Sequence, residues 1–468
     1  MKSIREQTTD NLDIDWGKFY RSVFTLVIPM ALQNLINVGV TATDVFMLGR
    51  VGEKVLSGAS LAGQIQFIMM LVFFGITAGA TVLTAQYWGK QDTKTIEKIL
   101  GMGLTGGLII AAVFTILAAV IPETLMSIYT SDPVVITEGA KYLRIVGFSY
   151  IFMAVTQVYL NIMRSIERVV IATVVYFVSL LVNICINALL IFGLFGFPEL
   201  GIVGAAIGTL CARITETALV LLYARYQNRL VKIRLHHMIH IDKMLLADYI
   251  RYATPVIVNE LLWGLGTSCN TAIVGHLGSE AVAANSVAQV ARQLAMVVVF
   301  GISNATAIWI GKTIGEKKLE HAQAYAKRFY ILAILLGLAG GLIILVAGPI
   351  AGNFLTLSDL SRKYLRFMFF VMSYFVVAQA FNTTMVCGIL RSGGDTKFGL
   401  ALDASTMWGC SILLGAAAAF VFHASVPVVY AVLLSDEVIK VPICIWRYRK
   451  KKWLQNLTRD EGELANNY

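Results

Sequence analysis

Charge is scarce in this 468-residue chain. Asp, Glu, Lys and Arg make up 14% of it, where a soluble domain of average composition carries about 25%, and 57% is hydrophobic. That shortage excludes an ordinary soluble domain and points to a polytopic membrane protein. Cysteine is thin as well. The six (Cys185, Cys211, Cys269, Cys387, Cys410 and Cys444) lie in apolar runs at wide spacing. This excludes a disulfide framework or a metal site and reads as small packing residues. The six histidines are scattered over loops. Three of them, in "HHMIH" (His236, His237, His240), fall in a basic amphipathic stretch that reads as solvated rather than metal-binding. The polar start, "MKSIREQTTDNLDIDWGKF", lacks the short apolar core of a removable signal peptide, so the first apolar run is expected to serve as the membrane signal. Also missing is any cluster of histidines, paired acids or a nucleophile with its base, as an integral-membrane enzyme would need.

What is present is a succession of apolar runs of about 20 residues, the length that crosses a bilayer. Twelve are read, at 24–45, 61–86, 99–121, 142–163, 169–194, 202–224, 252–275, 287–310, 329–350, 364–389, 398–422 and 427–446. The net charge of +10 is distributed asymmetrically about them. The N-terminus, the even-numbered loops, the central linker and the tail hold 28 of the 38 Lys and Arg residues. The odd-numbered loops and the run ends beside them hold seven, and Arg213, Arg292 and Lys440 lie inside runs. The bias places both termini in the cytoplasm and removes the need for nucleic acid as a partner.

The chain is also written twice. A shift of 226 residues carries Pro29 onto Pro255, Gly49 onto Gly275, Gly52 onto Gly278 and Ser60 onto Ser286. A shift of 222 aligns "TAQYWGK" (84–90) with "TAIWIGK" (306–312) and "YLRI" (142–145) with "YLRF" (364–367). The expected division is an N-lobe at 1–227 (helices 1–6), a basic cytoplasmic linker at 228–250, a C-lobe at 251–446 (helices 7–12) and a cytoplasmic tail at 447–468. Each half holds six spans, an even number. The halves are therefore expected to relate by an axis along the membrane normal, with a substrate site between them. The linker interleaves Arg229, Lys232, Arg234 and Lys243 with Leu230, Ile233 and Met238, a composition suited to the anionic cytoplasmic face and its lipids.

Polar groups inside such spans face protein or a water-filled cavity. In the first, Gln33, Asn34, Asn37, Thr41 and Asp44 recur at steps of three or four, a polar stripe on an otherwise greasy helix. Its one carboxylate, Asp44, is a natural binding point for a proton or small cation, or alternatively an interfacial Asp that simply reaches water. Asn183 and Asn187 lie one turn apart in "VNICINALLIFG", and Thr209 follows in the next span. These either complete an oxygen shell around a cation at Asp44 or hold helices together. Arg213 and Glu216 are spaced to pair.

The second half differs. Asn270, in "LGTSCNTAIVGHLG", stands where Asp44 stood. Glu260, flanked by Asn259 and Trp263, aligns with Asn34. It suits either attraction of a cationic aromatic substrate or an inner vestibule without substrate contact. In the last span Asp436 and Glu437 are spaced to pair with Lys440 as structural or gating charges. Asp403 stands alone.

Together these residues resemble the multidrug and toxic compound extrusion (MATE) family over about residues 15 to 458. The match runs through the Pro29-to-Asp44 spacing with "GRVG" after it, "GILRSGGDTKFG" after the tenth span, and "DEVIK" followed by "RYRKKKWLQNLT". The resemblance implies an all-α integral membrane fold, twelve helices in two pseudo-symmetric six-helix bundles forming a V-shaped cavity. It implies a monomeric multi-pass protein of the cell membrane that exports organic cations or amphipathic compounds in exchange for H+ or Na+, with no other cofactor. It implies that Asp44 is the coupling-cation site, completed by Asn183, Asn187 and Thr209. Gln33, Asn37, Thr41, Asn259, Glu260, Trp263 and Asn270 are the candidate cavity residues. Three departures stand out. Position 187 is Asn where one branch has Asp. Trp263 occupies the position of another branch's seventh-helix Glu, and "YFVVAQAFNTTMVCG" lacks that branch's tenth-helix Asp. The alternative within this architecture is a flippase for a lipid-linked saccharide, which would line its cavity with cations; Arg292 is the residue that fits it.

Overall fold

The computed structural model describes residues 14–354 and 358–459, and among them the chain is helical throughout, with no strand. The helices are α1 (Trp16–Val51), α2 (Glu53–Gly89), α3 (Thr93–Val120), α4 (Pro122–Ser127), α5 (Pro133–Val146), α6 (Ser149–Ser165), α7 (Val170–Phe192), α8 (Ile202–Leu222) and α9 (His236–Ile239). They continue with α10 (Lys243–Gly275), α11 (Ser279–Gly315), α12 (Leu319–Phe354), α13 (Asp359–Thr383), α14 (Thr396–Asp403), α15 (Leu413–Ala416), α16 (Val426–Leu433) and α17 (Ser435–Arg449). All twelve apolar runs fall on helices. Hydrocarbon offers no partner to backbone N–H and C=O groups, so a spanning segment must satisfy them internally. Nine helices among the described residues are long and apolar enough to cross a membrane. α5 and α6, bent by 54° at their junction, form one further candidate span. At that bend the Thr115 hydroxyl donates to the Gly147 carbonyl at 2.8 Å. The protein is a multi-pass membrane protein.

Helix starts follow local chemistry. Asp92 caps α3 by accepting from the Thr95 N–H at 3.0 Å, and Ser358 caps α13 by accepting from the Ser361 N–H at 3.1 Å. Gly278 supplies φ 115° at the turn between α10 and α11, a conformation closed to most side chains.

The chain divides into two compact units. An amino-terminal unit comprises Leu32–Ile257 with the chain from Arg459, and a carboxy-terminal unit comprises the chain up to Ala31 with Val258–Thr458. Both crossing points lie inside a helix, two residues beyond its proline: Pro29 in α1 and Pro255 in α10. A proline in a helix interior removes one backbone hydrogen bond and crowds the preceding turn, so each is a natural place for a long helix to change company. The packing repeats as the sequence does. In the amino-terminal unit a Cβ on Gly75 of α2 would lie 2.6 Å from the Ile257 Cα of α10, and one on Gly79 would lie 2.7 Å from the Ala253 Cα. In the carboxy-terminal unit Gly301 of α11, 226 residues after Gly75, approaches Ala31 of α1, its Cβ position 3.4 Å from the Ala31 nitrogen.

The linker is held to α3. Buried Glu97 accepts from the Lys232 N–H at 2.9 Å and from the Arg234 guanidinium at 2.7 Å, and Lys98 pairs with Asp242 at 3.3 Å. This leaves Leu235 and Ile239 exposed beside Arg229 and Lys232.

Candidate functional site

The first-helix stripe serves two purposes. Gln33, 2% exposed, donates to the Val169 carbonyl at 3.0 Å and the Thr173 hydroxyl at 2.9 Å, which fastens α1 to the start of α7. Gln33 therefore packs helices and does not line a cavity as expected. One and two turns on, Asn37 and Thr41 are exposed, with the Thr41 hydroxyl returning to the Asn37 carbonyl.

At Asp44 four helices, α1, α5, α7 and α8, converge within the amino-terminal unit. The Asn187 amide of α7 donates to the Asp44 carboxylate at 2.6 Å and to the Asn183 carbonyl oxygen at 3.2 Å. Asn183 and Asn187 are buried, and a side chain at the neighbouring position of α8 would exclude the second: any Cβ on Gly208 would collide with the Asn187 carbonyl oxygen. That oxygen is buried without a hydrogen-bond partner among the described residues. The Tyr142 phenol of α5 lies within electrostatic reach of Asp44 and against Thr209. Oxygen atoms of one carboxylate, two amides, a threonine and a tyrosine thus gather at one place, the donor set that hard cations take. Arg213 is near, but its charge is matched by Glu216 at 2.7 Å, which also accepts from the Ser179 hydroxyl at 2.6 Å. The spacing of Arg213 and Glu216 had shown that pair. Tyr142 was missed, although its "YLR" repeats at Tyr364.

The carboxy-terminal unit is built differently. Asn270, at the repeat position of Asp44, has its carbonyl oxygen buried without a partner among the described residues. The charges lie elsewhere. Lys440 pairs with Asp436 at 3.0 Å and Glu437 at 3.2 Å, as the helical spacing implied. It also pairs with Asp403 at 2.8 Å, and the Asn259 amide donates to Asp403 at 2.9 Å. Asp403 is not solitary: α14 carries it to α17, a neighbour that one-dimensional spacing does not reveal. Glu260 pairs with Arg391 at 3.2 Å, so its charge is answered within the protein rather than kept for a cationic substrate. Arg391 had been read as a loop residue. In the structure α13 continues through a π-helical stretch, Thr384–Leu390, and Arg391 follows it, 7% exposed. Trp263 packs against the hydrophobic core of this unit. Arg292 donates to Gln289, one turn back, at 2.8 Å.

The MatE family model matches residues 29–189 and again 255–439, one stretch in each sequence repeat. The chain belongs to the MATE family. Among relatives of this MATE transporter, the probable multidrug resistance protein YoeA of Bacillus subtilis is 24% identical over 401 residues, covering 84% of this chain and 85% of the relative. The probable multidrug resistance protein NorM of Bradyrhizobium diazoefficiens is 26% identical over 402 residues, covering 82% and 83%. The fold is that of solved MATE transporters. The Vibrio cholerae transporter VcmN in its bent form superposes with a TM-score of 0.84 at 18% identity, over 94% of this chain and 97% of that one. A MOP superfamily transporter from Pyrococcus furiosus, described as having a binding pocket of reversed polarity, gives 0.83 at 17% identity, over 92% and 95%.

Proposed function

We propose that this MATE transporter is a cation-coupled antiporter of the cell membrane, with both termini cytoplasmic, that exports organic cations or amphipathic compounds by alternating access. The reading is carried by one observation: the Asp44 carboxylate accepts from the Asn187 amide and has no ion-pair partner among the described residues, while the arginine nearby is paired with Glu216. A carboxylate left without a counter-ion in a membrane-spanning unit is costly unless it binds a proton or a cation. Na+ or H+ arriving at Asp44 would then favour one conformation over another, with Asn183, Asn187, Thr209 and Tyr142 completing the oxygen shell. The printed descriptions of YoeA and NorM support drug-like substrates. The flippase reading draws less support: Arg213, Arg391 and Lys440 are each paired with carboxylates, which leaves Arg292, hydrogen-bonded to Gln289, as the one cation of these four for a pyrophosphate to meet.

The test uses the purified full chain in liposomes. Efflux of a fluorescent organic cation is followed under a Na+ gradient and, separately, under a pH gradient, with Asp44→Asn alongside. Transport driven by one gradient and lost in the variant is the expected result. Full efflux by Asp44→Asn would overturn the assignment of Asp44, and no transport under either gradient would favour the lipid-precursor flippase.

A further inference from the structure

The carboxy-terminal unit contains a buried charge cluster that the proposed function leaves unused. Lys440, 3% exposed, stands among Asp403 at 2.8 Å, Asp436 at 3.0 Å and Glu437 at 3.2 Å. An ammonium has three N–H donors, and here each faces a different carboxylate. When all three carboxylates are ionised, one ammonium leaves them two positive charges short. Two arginines and a fourth acid also face the cluster: Arg391, paired with Glu260, lies within electrostatic reach of Asp403, and Arg292, hydrogen-bonded to Gln289, lies within reach of Glu437. Three cations then face four carboxylates, and one negative charge stays uncompensated. Cys387 and Cys444, also within electrostatic reach, carry no positive charge. Burying an uncompensated charge costs several kcal/mol even after relaxation, on the order of what a whole domain can spare.

A second, independent observation points the same way. Asn259 and Asn382 are 5% and 3% exposed, and each presents its amide nitrogen to the cluster. Asn259 donates to Asp403, and Asn382 donates to the Glu437 carboxylate at 2.7 Å and to its backbone carbonyl at 2.6 Å. The carbonyl oxygens of both amides are buried with no hydrogen-bond partner among the described residues. Covalent geometry keeps each oxygen beside its own nitrogen, hence beside the carboxylates. A buried amide oxygen calls for a hydrogen-bond donor, and the groups its own nitrogen touches here include a carboxyl.

A metal ion would sit where the three carboxylates converge, and the Lys440 ammonium is already there. We propose that this cluster is a proton-binding site closed to Na+: the proton resides on a carboxyl oxygen of Asp403, Asp436 or Glu437 and is donated in a hydrogen bond to an orphan amide oxygen. Tethered Lys440 takes the place of a coupling metal ion, so this unit responds to protons alone. The site does not depend on Asp44, and it does not use the seventh- and tenth-helix acids implied by the family resemblance, which this chain lacks.

The full chain carrying Asp44→Asn, reconstituted in liposomes at neutral pH, is examined by infrared spectroscopy for the C=O stretch of a protonated carboxyl. A band is expected that Na+ leaves unchanged and that weakens when Asp403→Asn, Asp436→Asn or Glu437→Gln is added. Adding Lys440→Gln instead is expected to make the band Na+-sensitive. Should that variant fail to fold, the other measurements decide alone. Absence of the band, indifference to all three acid substitutions, or its removal by Na+ with Lys440 in place would each overturn the proposal. Because no transport is read, the outcome is separate from that of the efflux assay.

Discussion

The two units start from related sequences and reach opposite electrostatic solutions. At Asp44 the amino-terminal unit keeps a carboxylate that accepts from the Asn187 amide, and it pairs its nearby arginine with Glu216. At the matching position the carboxy-terminal unit carries neutral Asn270, and its acids stand on other helices around a lysine of its own. Duplication thus preserved the proline positions while the placement of charge diverged. On the proposed function one unit takes its cation from solution; the other carries one on a side chain.

The sharpest way to break this comparison is at Asp44. Asp44→Asn keeps an oxygen to accept from Asn187, so thermal stability is expected to change by less than about 1 kcal/mol. Gradient-driven efflux in liposomes should fall by well over roughly tenfold, the equivalent of about 1.4 kcal/mol. Adding Asn270→Asp should not restore it, because that carboxylate would stand in the other unit, without Asn183, Asn187 and Thr209. Next in size is Lys440→Met. It strands three carboxylates and is expected to destabilise by about 3–5 kcal/mol, read as a loss of melting temperature. Arg213→Met strands only Glu216, which still receives the Ser179 hydroxyl, and should cost less in the same measurement.

Packing offers a milder contrast. Gly75→Ala drives a methyl into the Ile257 backbone and should cost about 1–3 kcal/mol, whereas the equivalent Gly301→Ala meets the Val27 carbonyl oxygen at 3.3 Å and the Ala31 nitrogen at 3.4 Å and should cost under about 1 kcal/mol. Equal losses of melting temperature would show that the two crossings are packed alike. The smallest expected effect is Tyr142→Phe. It removes one hydroxyl beside Asp44 and should weaken the dependence of efflux on the coupling ion by about 1 kcal/mol, roughly fivefold.

Much of this was legible in one dimension. The charge-poor runs fixed the helices, because a spanning segment must be both apolar and internally hydrogen-bonded. The pairs Arg213–Glu216, Asp436–Lys440 and Glu437–Lys440 followed from three- and four-residue spacing, since such side chains share a helix face. What escaped was pairing across helices. Asp403–Lys440 and Glu260–Arg391 depend on which helix lies beside which. The depth of Arg391 depends on a π-helical continuation that hydropathy placed at the end of a span. Gln33 was misassigned for a related reason: a polar side chain on a helix stripe satisfies a neighbouring helix as readily as it lines a cavity.

The crossing of α1 and α10 between units also bears on how the protein is made. Residues up to Ala31 leave the ribosome first, yet their unit resumes only at Val258. At about 5–20 residues per second, the opening helix waits on the order of ten to forty seconds for the partners it packs against. Its greasy first half must therefore be sheltered by lipid or by the insertion machinery in the interval, while the helices of the amino-terminal unit emerge in one continuous stretch up to Ile257.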